Sequence, residues 1–141
     1  MTRHLLDVNV VIALIDPLHV HHERAHAWFA TRDAPWCTSP TVQNGVVRVV
    51  SHPKYPNTQP APTVIASLAS LAAQPDHEFL PDSVSLLDAS VHTERLLASS
   101  QVTDTYLLHL AASHEARLAT FDTRIVTAAV PSGAEVVFAI P

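Results

Sequence analysis

The chain has 141 residues, a hydrophobic fraction of 48%, and thirteen acidic against eight basic side chains for a formal charge of −5. That is apolar material for one core, and a domain of this size buries about 70% of the surface its unfolded chain exposes. Two glycines, Gly45 and Gly133, against eleven prolines exclude a glycine-rich phosphate or dinucleotide cradle, the acid excess excludes coating of nucleic acid by bulk positive charge, and the lone Cys37 excludes an internal disulfide or a Cys-rich zinc site.

In chain order, His4–Asp7 reads as a short buried strand that runs into a carboxylate. Val8–Leu14 continues apolar, with Asn9 inside it, and is expected to turn into a helix ended by Asp16-Pro17. Met1–Ile15 is too interrupted by Asp7 and Asn9 to serve as a signal peptide. His19–Thr31 has helical spacing, with Ala25, Trp28 and Phe29 on one face. Trp36–Ser39 reads as a second strand. Ser39 then caps a helix over Pro40–Ser51, with Val42, Val46, Val49 and Val50 as its apolar stripe.

Pro53–Pro62 reads as a loop within the domain. Val64, Leu68, Leu71 and Ala72 mark a further helix closed by Pro75, and His77–Leu80 a third strand. Val84–Leu97 is expected to be helical in part. Thr103 is expected to cap a strong helix with Leu107, Leu108, Ala111 and Ala112 as its stripe. Arg117–Phe121 reads as a strand ending at Asp122, Thr123–Val130 as a short helix, and Glu135–Ile140 as a last strand. Strands alternating with helices predict a single α/β domain over residues 1–141. The expected architecture is a three-layer α/β/α sandwich around a mostly parallel sheet. No stretch approaches the roughly 20 apolar residues of a membrane span, so a soluble cytoplasmic chain is expected.

Three carboxylates sit in unusual places. Asp7 ends the first strand and interrupts the most apolar segment of the chain, where an unpaired charge is costly. Asp122 ends a later strand. Asp104 lies in the first turn of its helix, on the face shared with Leu108 and Ala111. Ligands of open parallel sheets bind beyond the carboxyl ends of the strands, where Asp7 and Asp122 would meet. Each acid also has a plain structural reading: Asp104 as a charge on the helix dipole, Asp122 as a helix cap. Taken together they suit a divalent cation, which relieves carboxylate repulsion. Oxygen-only ligand sets select Mg²⁺ or Mn²⁺, and such ions activate water against phosphodiesters.

These residues carry a resemblance. The stretches LLDVNVVIALID (5–16), the spaced His19, His22, Ala25 and Trp28, SPTVQNGVVRVVSHP (39–53), PDSVSLLD (81–88) and QVTDTYLLHLAASHEARLATFD (101–122) resemble the PIN-domain ribonucleases of the VapC toxin type. The likeness is nearest to the mycobacterial-type branch and spans nearly the whole chain. It implies a PIN-like sandwich, Mg²⁺- or Mn²⁺-dependent endonucleolytic cleavage of tRNA or rRNA, a cognate VapB-type antitoxin and a homodimer. Three of the family's four acids correspond to Asp7, Asp104 and Asp122, which would hold the metal. The second falls on Gln43, a neutral amide that brings no charge to a cation and cannot act as a base. A site with Gln43 in the fourth position is therefore expected to be weakened, either by natural divergence or by a deliberate Glu-to-Gln change. Arg124 stands where some relatives place a further acid or Asn, which argues against a second metal. Asn9, Thr103, Thr105 and Thr123 are candidate supporting donors.

Two other functions compete. A catalytically impaired RNA- or antitoxin-binding module follows if Gln43 abolishes cleavage. A haloacid-dehalogenase-like phosphatase is suggested by a strand ending in Asp-x-Asn, but Asn9 replaces its second acid and Lys54, the only lysine, is poorly placed. The cluster His19, His21, His22 and His26 reads as a solvated helix face, since nothing completes a tetrahedral metal set. Trp28 and Phe29 are either core or, with Val64, Leu68 and Leu71, part of an antitoxin groove. Arg48, Lys54, Arg95, Arg117 and Arg124 are candidate RNA phosphate contacts among which the sequence does not choose.

Overall fold

The computed structural model describes residues 2–141. Its sheet has five strands: β1 (His4–Leu6), β2 (Trp36–Thr38), β3 (His77–Phe79), β4 (Arg117–Thr120) and β5 (Val137–Ala139). All pairings are parallel, in the order β3-β2-β1-β4-β5. Parallel neighbours need crossovers, and six helices provide them. Helices α1 (Val8–Ile15), α2 (His22–Thr31), α3 (Pro40–Val50) and α4 (Ala61–Ala72) pack among themselves on one face. Helices α5 (Val102–Ser113) and α6 (Gly133–Val136) pack together on the other. This is the expected three-layer sandwich, with a sheet that is parallel throughout.

The sequence order explains where the site falls. The chain moves outward from β1 through β2 to β3, then returns through α5 to β4 on the other side of β1. The carboxyl ends of β1 and β4 thus lie where the winding reverses, the place where such sheets open a crevice. Leu5 and Leu6 of β1 and Leu118 and Ala119 of β4 are fully buried beneath it. Helix α3 comes close to α1 because Gly45 has no side chain: a Cβ there would lie 2.9 Å from the branched Val8.

Several local expectations need correction. Val84–Leu97 forms no α-helix, only a 3-10 turn at Thr93–Arg95. Its short polar side chains take the backbone donors a helix would use: Asp88 accepts from the Ser85 N–H at 3.0 Å, and Ser85 Oγ from Leu87 N–H at 3.0 Å. Residues 123–130 form turns rather than a helix. There the Arg124 N–H turns back to Asp122 Oδ1 at 2.8 Å, and the Ala129 carbonyl is taken by the His92 N–H. Thr103 does not cap α5. A 3-10 turn, Ser99–Gln101, runs straight into the helix, so α5 has already begun at Val102. Helix α2 starts at His22, later than His19, because His19 Nδ1 accepts the His21 N–H in a turn.

Trp28 and Phe29 are core, at 8% and 7% exposure, and line no groove. Trp28 meets His4 and Phe138 edge-on and tilted, respectively. The histidine cluster is more than a solvated face. His22 Nδ1 and His26 Nε2 reach the carbonyls of Ala13 and Leu14 at 2.7 and 2.8 Å, where the last turn of α1 has no N–H of its own to offer them.

Candidate active site

Asp7 is the hinge between β1 and α1. Its backbone N–H still belongs to the sheet, donating to the Ala119 carbonyl at 2.9 Å. Its side chain caps the helix, with Oδ1 accepting from Val8 N–H at 2.7 Å. The other oxygen, Oδ2, accepts from the Thr120 hydroxyl at 2.7 Å. The carboxylate is thus partnered but 5% exposed. Burial pushes its pKa up, the two hydrogen bonds hold it back, and the charge of Asp122 adds to the rise.

Thr120 organises the site, and sequence reasoning missed it. Its single proton goes to Asp7. Its oxygen accepts from Asn9 Nδ2 at 3.3 Å and from the Asp122 N–H at 3.1 Å, which uses everything a hydroxyl offers. Asn9 Oδ1 then accepts the Phe121 N–H at 3.4 Å. One buried hydroxyl thereby joins the ends of β1 and β4. In sequence, Thr120 reads as an ordinary β-branched strand residue; only the pairing of β1 with β4 places it beside Asp7. Of the four expected supporting donors, Asn9 fills that role. Thr103 and Thr123 are exposed, and the buried Thr105 hydroxyl has no partner.

Asp104 faces this pair from the first turn of α5. Its pKa is pushed up to about 6, first by burial and then by the charges of Asp7 and Asp122. Three carboxylates on three elements share one field. Among the described residues, no three such groups are gathered closely enough to hold a metal ion at once. The site is therefore open: electrostatically coupled, with its acids held apart. Arg124 Nε lies 3.9 Å from Asp122 Oδ1, with the arginine almost fully exposed.

Gln43 has a different partner. It is half-buried on the first turns of α3, and its Nε2 donates to Thr38 Oγ1 at 3.0 Å. Thr38 ends β2, and its hydroxyl lies 2.8 Å from His77 Nε2 on β3. With Gln43 donating, the Thr38 proton is free for His77, whose other ring nitrogen serves the Ala72 carbonyl. Burial holds the His77 pKa below its ordinary value, consistent with a neutral ring. Gln43 also borders a groove of about 680 Å³ between α3 and α4, walled by Val11, Trp36, Val47, Leu68 and Leu71.

Residues 4–131 match the PIN domain family. The chain is 46% identical over 131 residues to Ribonuclease VapC44 of Mycobacterium tuberculosis, covering 92% of each. The chain belongs to the PIN-domain family, among its VapC ribonucleases. Solved structures agree on the fold. Mycobacterium tuberculosis VapC20, a sarcin–ricin-loop-cleaving toxin, superposes with a TM-score of 0.61 at 12% identity, covering 91% of this chain and 96% of that one. A VapBC2 complex from Rickettsia felis, bound to a DNA fragment from its promoter, gives 0.57 at 14% identity, covering 86% and 89%. In this VapC chain, β1, β4 and α5 present the acids, and α3 presents an amide.

Proposed function

We propose that this VapC chain is the toxin of a type II toxin–antitoxin pair and an Mg²⁺- or Mn²⁺-dependent endoribonuclease. One observation carries the reading: Asp104 pushed up to about 6 by burial and by Asp7 and Asp122. A carboxylate whose proton affinity is raised by burial and by two neighbouring carboxylates is one that would accept a cation in the proton's place. The donor set fits a hard divalent ion, being all oxygen and anionic. Asp7, Asp104 and Asp122 would hold it. When bound, such an ion polarises a phosphodiester and lowers the pKa of water at neutral pH.

The chain's own groups set the stage. Thr120 and the Val8 N–H fix both oxygens of Asp7. The Thr120–Asp122 bond ties the second acid to the first. Asp104, on a separate helix, feels the charge of both without meeting them. Gln43 supplies no charge, so we infer activity below that of a four-acid site.

The substrate would be structured RNA, tRNA or rRNA. The partner would be a VapB-type antitoxin, and the apolar groove between α3 and α4 suits a segment of it. We further infer a homodimer in the cytoplasm; no helix among the described residues is long and apolar enough to cross a membrane.

The test is cleavage of total RNA by the wild-type chain and by Gln43→Glu, with Mg²⁺, Mn²⁺ or EDTA, and cut sites mapped at 5′ ends. Cleavage by both forms, stronger in Gln43→Glu and abolished by EDTA, is expected. Equal cleavage by the two would overturn the weakening. Binding without cleavage by either, even in excess Mn²⁺, would replace the enzyme with a binding module.

A further inference from the structure

A polyanionic substrate must approach an acidic site on a chain of net charge −5. The eight cationic side chains therefore bear inspection one by one. Four are committed to the protein itself. Arg3 binds Glu78 and the His114 carbonyl. Arg24 binds the carbonyls of Ile140 and Pro141. Arg32 binds Asp76 and the Phe29 carbonyl and lies over the Phe29 ring. Arg117 binds the Val137 carbonyl and stacks on Phe138.

The other four are Arg48, Lys54, Arg95 and Arg124. Lys54 sits in the proline-rich loop, which Tyr55 and Asn57 pin to Asp16. Asp16 ends α1, whereas Asp7 begins it, so Lys54 lies at the wrong end of an eight-residue helix, about 12 Å away. Arg48 is exposed on the last turn of α3 and borders the groove of Gln43, not the three acids. Arg95 belongs to the irregular strap before α5. Arg124 alone of the four touches one of the acids.

Its placement is specific. The Arg124 N–H donates to Asp122 Oδ1 at 2.8 Å, which fixes its backbone beside the carboxylate. Its guanidinium lies 3.9 Å from the same oxygen, and its side chain is 93% exposed. So loose and hydrated a pair contributes little to stability. It leaves the fork of donors available to a phosphate, whose oxygens match that fork in pairs.

We propose that Arg124 is the substrate-positioning cation of this site, holding an RNA phosphate adjacent to the one the acids address. This rests on the ribonuclease reading above. Arg124 gives up only a weak contact with Asp122 to hold the RNA phosphate. Its role is binding, not proton transfer.

The test pairs two affinities that a merely structural arginine would move together. Binding of a labelled single-stranded RNA is measured by anisotropy against salt in an Asp104→Asn background, which keeps the RNA intact. Mn²⁺ binding is measured by calorimetry with Asp104 in place. Arg124→Ala is expected to weaken RNA binding about two- to fivefold, the scale of one exposed ion pair. It should also reduce the slope of log affinity against log salt by about 0.7, the value for one phosphate on a single strand. Arg124→Glu should weaken binding further, and Arg124→Lys should keep the slope. Mn²⁺ affinity should hold or rise, because a competing cation has gone. Lys54→Ala should change neither, and melting temperatures should stay level.

An unchanged slope in Arg124→Ala, with RNA still bound by the Asp104→Asn parent and cleaved by the wild-type chain, overturns the proposal and leaves the ribonuclease reading intact. A joint loss of RNA and Mn²⁺ affinity also overturns it, since Arg124 would then act by holding Asp122. A wild-type chain that neither binds nor cleaves RNA with Mg²⁺ or Mn²⁺ ends both.

Discussion

Two strands flank β1, and each ends in a buried threonine with a different clientele. On one side, Thr120 of β4 gives its proton to a carboxylate and accepts from Asn9 and the Asp122 N–H. On the other, Thr38 of β2 lies between an amide, Gln43, and a neutral ring, His77. The neutral side is complete: an amide donor, a hydroxyl and an imidazole acceptor satisfy one another with no net charge. The charged side is not. Thr120 can offer one proton to a cluster of three carboxylates, so Asp7 and Asp104 are left above their ordinary pKa. Equal architecture with unequal charge marks the side of β1 where the proposed cation would be taken up.

The harshest way to break this contrast is to neutralise the hub acid. Asp7→Asn keeps one oxygen, which can cap Val8 or take the Thr120 proton but not both, so the fold should persist with one hydrogen bond fewer. It removes a charge from the site of the proposed cation. Metal-dependent cleavage should fall by more than about 100-fold, beyond the usual effect of losing a supporting group. A variant that cleaves as well as wild type would remove Asp7 from the catalytic set.

Asp7 was legible in the sequence because a carboxylate in an apolar run has few innocent explanations. The alternation of strands and helices was legible for the same reason of contrast, as was the Ser39 cap before Pro40. Thr120 was not. Threonine is at home in a strand, and nothing local distinguishes a hydroxyl that meets a carboxylate 113 residues away. The helices expected at 84–97 and 123–130 failed differently. Ser85, Asp88 and Asp122 turn backbone donors toward side chains there, and local hydrogen bonds won. For Gln43 the position was legible and its alignment was not. Its bond to Thr38 spans only five residues, but the link from Thr38 on to His77 needed the pairing of β2 with β3.

Replacing the two threonines by valine tests whether they are equivalent. Each substitution is nearly isosteric and leaves unpaired buried partners, so each should cost about 1–3 kcal/mol of stability by denaturant titration. Their effects on function should differ. Thr120→Val unties Asp7 from Asp122 and should lower metal affinity and cleavage about 10- to 100-fold. Thr38→Val frees a neutral amide and should change cleavage only a few-fold. Equal losses would mean that the two sides of β1 serve the site alike.

Gln43→Glu would charge the neutral side, and His77 should register it. The new carboxylate would take the Thr38 proton. The ring would then have to donate to Thr38 and to the Ala72 carbonyl together, which only the protonated imidazole does. His77 should titrate higher than in wild type, visible in its ring proton shifts by NMR. Cleavage should rise by up to about tenfold, the converse of losing a supporting group. An unmoved His77 would show that residue 43 does not govern the relay.

The smallest effect is the most direct reading of the shared field. Asp104 ionises near its ordinary 3.8 in the unfolded chain and at about 6 in the folded one. Between those values the unfolded state releases its proton first. The folding penalty therefore builds as pH rises from about 4 to about 6 and is complete above. Asp104 is half-exposed, so solvent screens the effect to about 1 kcal/mol, or about 3 °C in melting temperature for a chain this long. Burial holds His4, His19 and His77 below their ordinary value, and these pull the other way over an overlapping range. The raw pH profile therefore mixes both. The difference between Asp104→Asn and wild type separates them. Without metal it should be near zero at pH 4, reach about 3 °C by pH 7, and shrink or reverse on adding Mg²⁺, which favours the charged form. A difference flat in pH and indifferent to Mg²⁺ would mean that Asp104 does not feel Asp7 and Asp122, and the charged side of β1 would then be as self-sufficient as the neutral one.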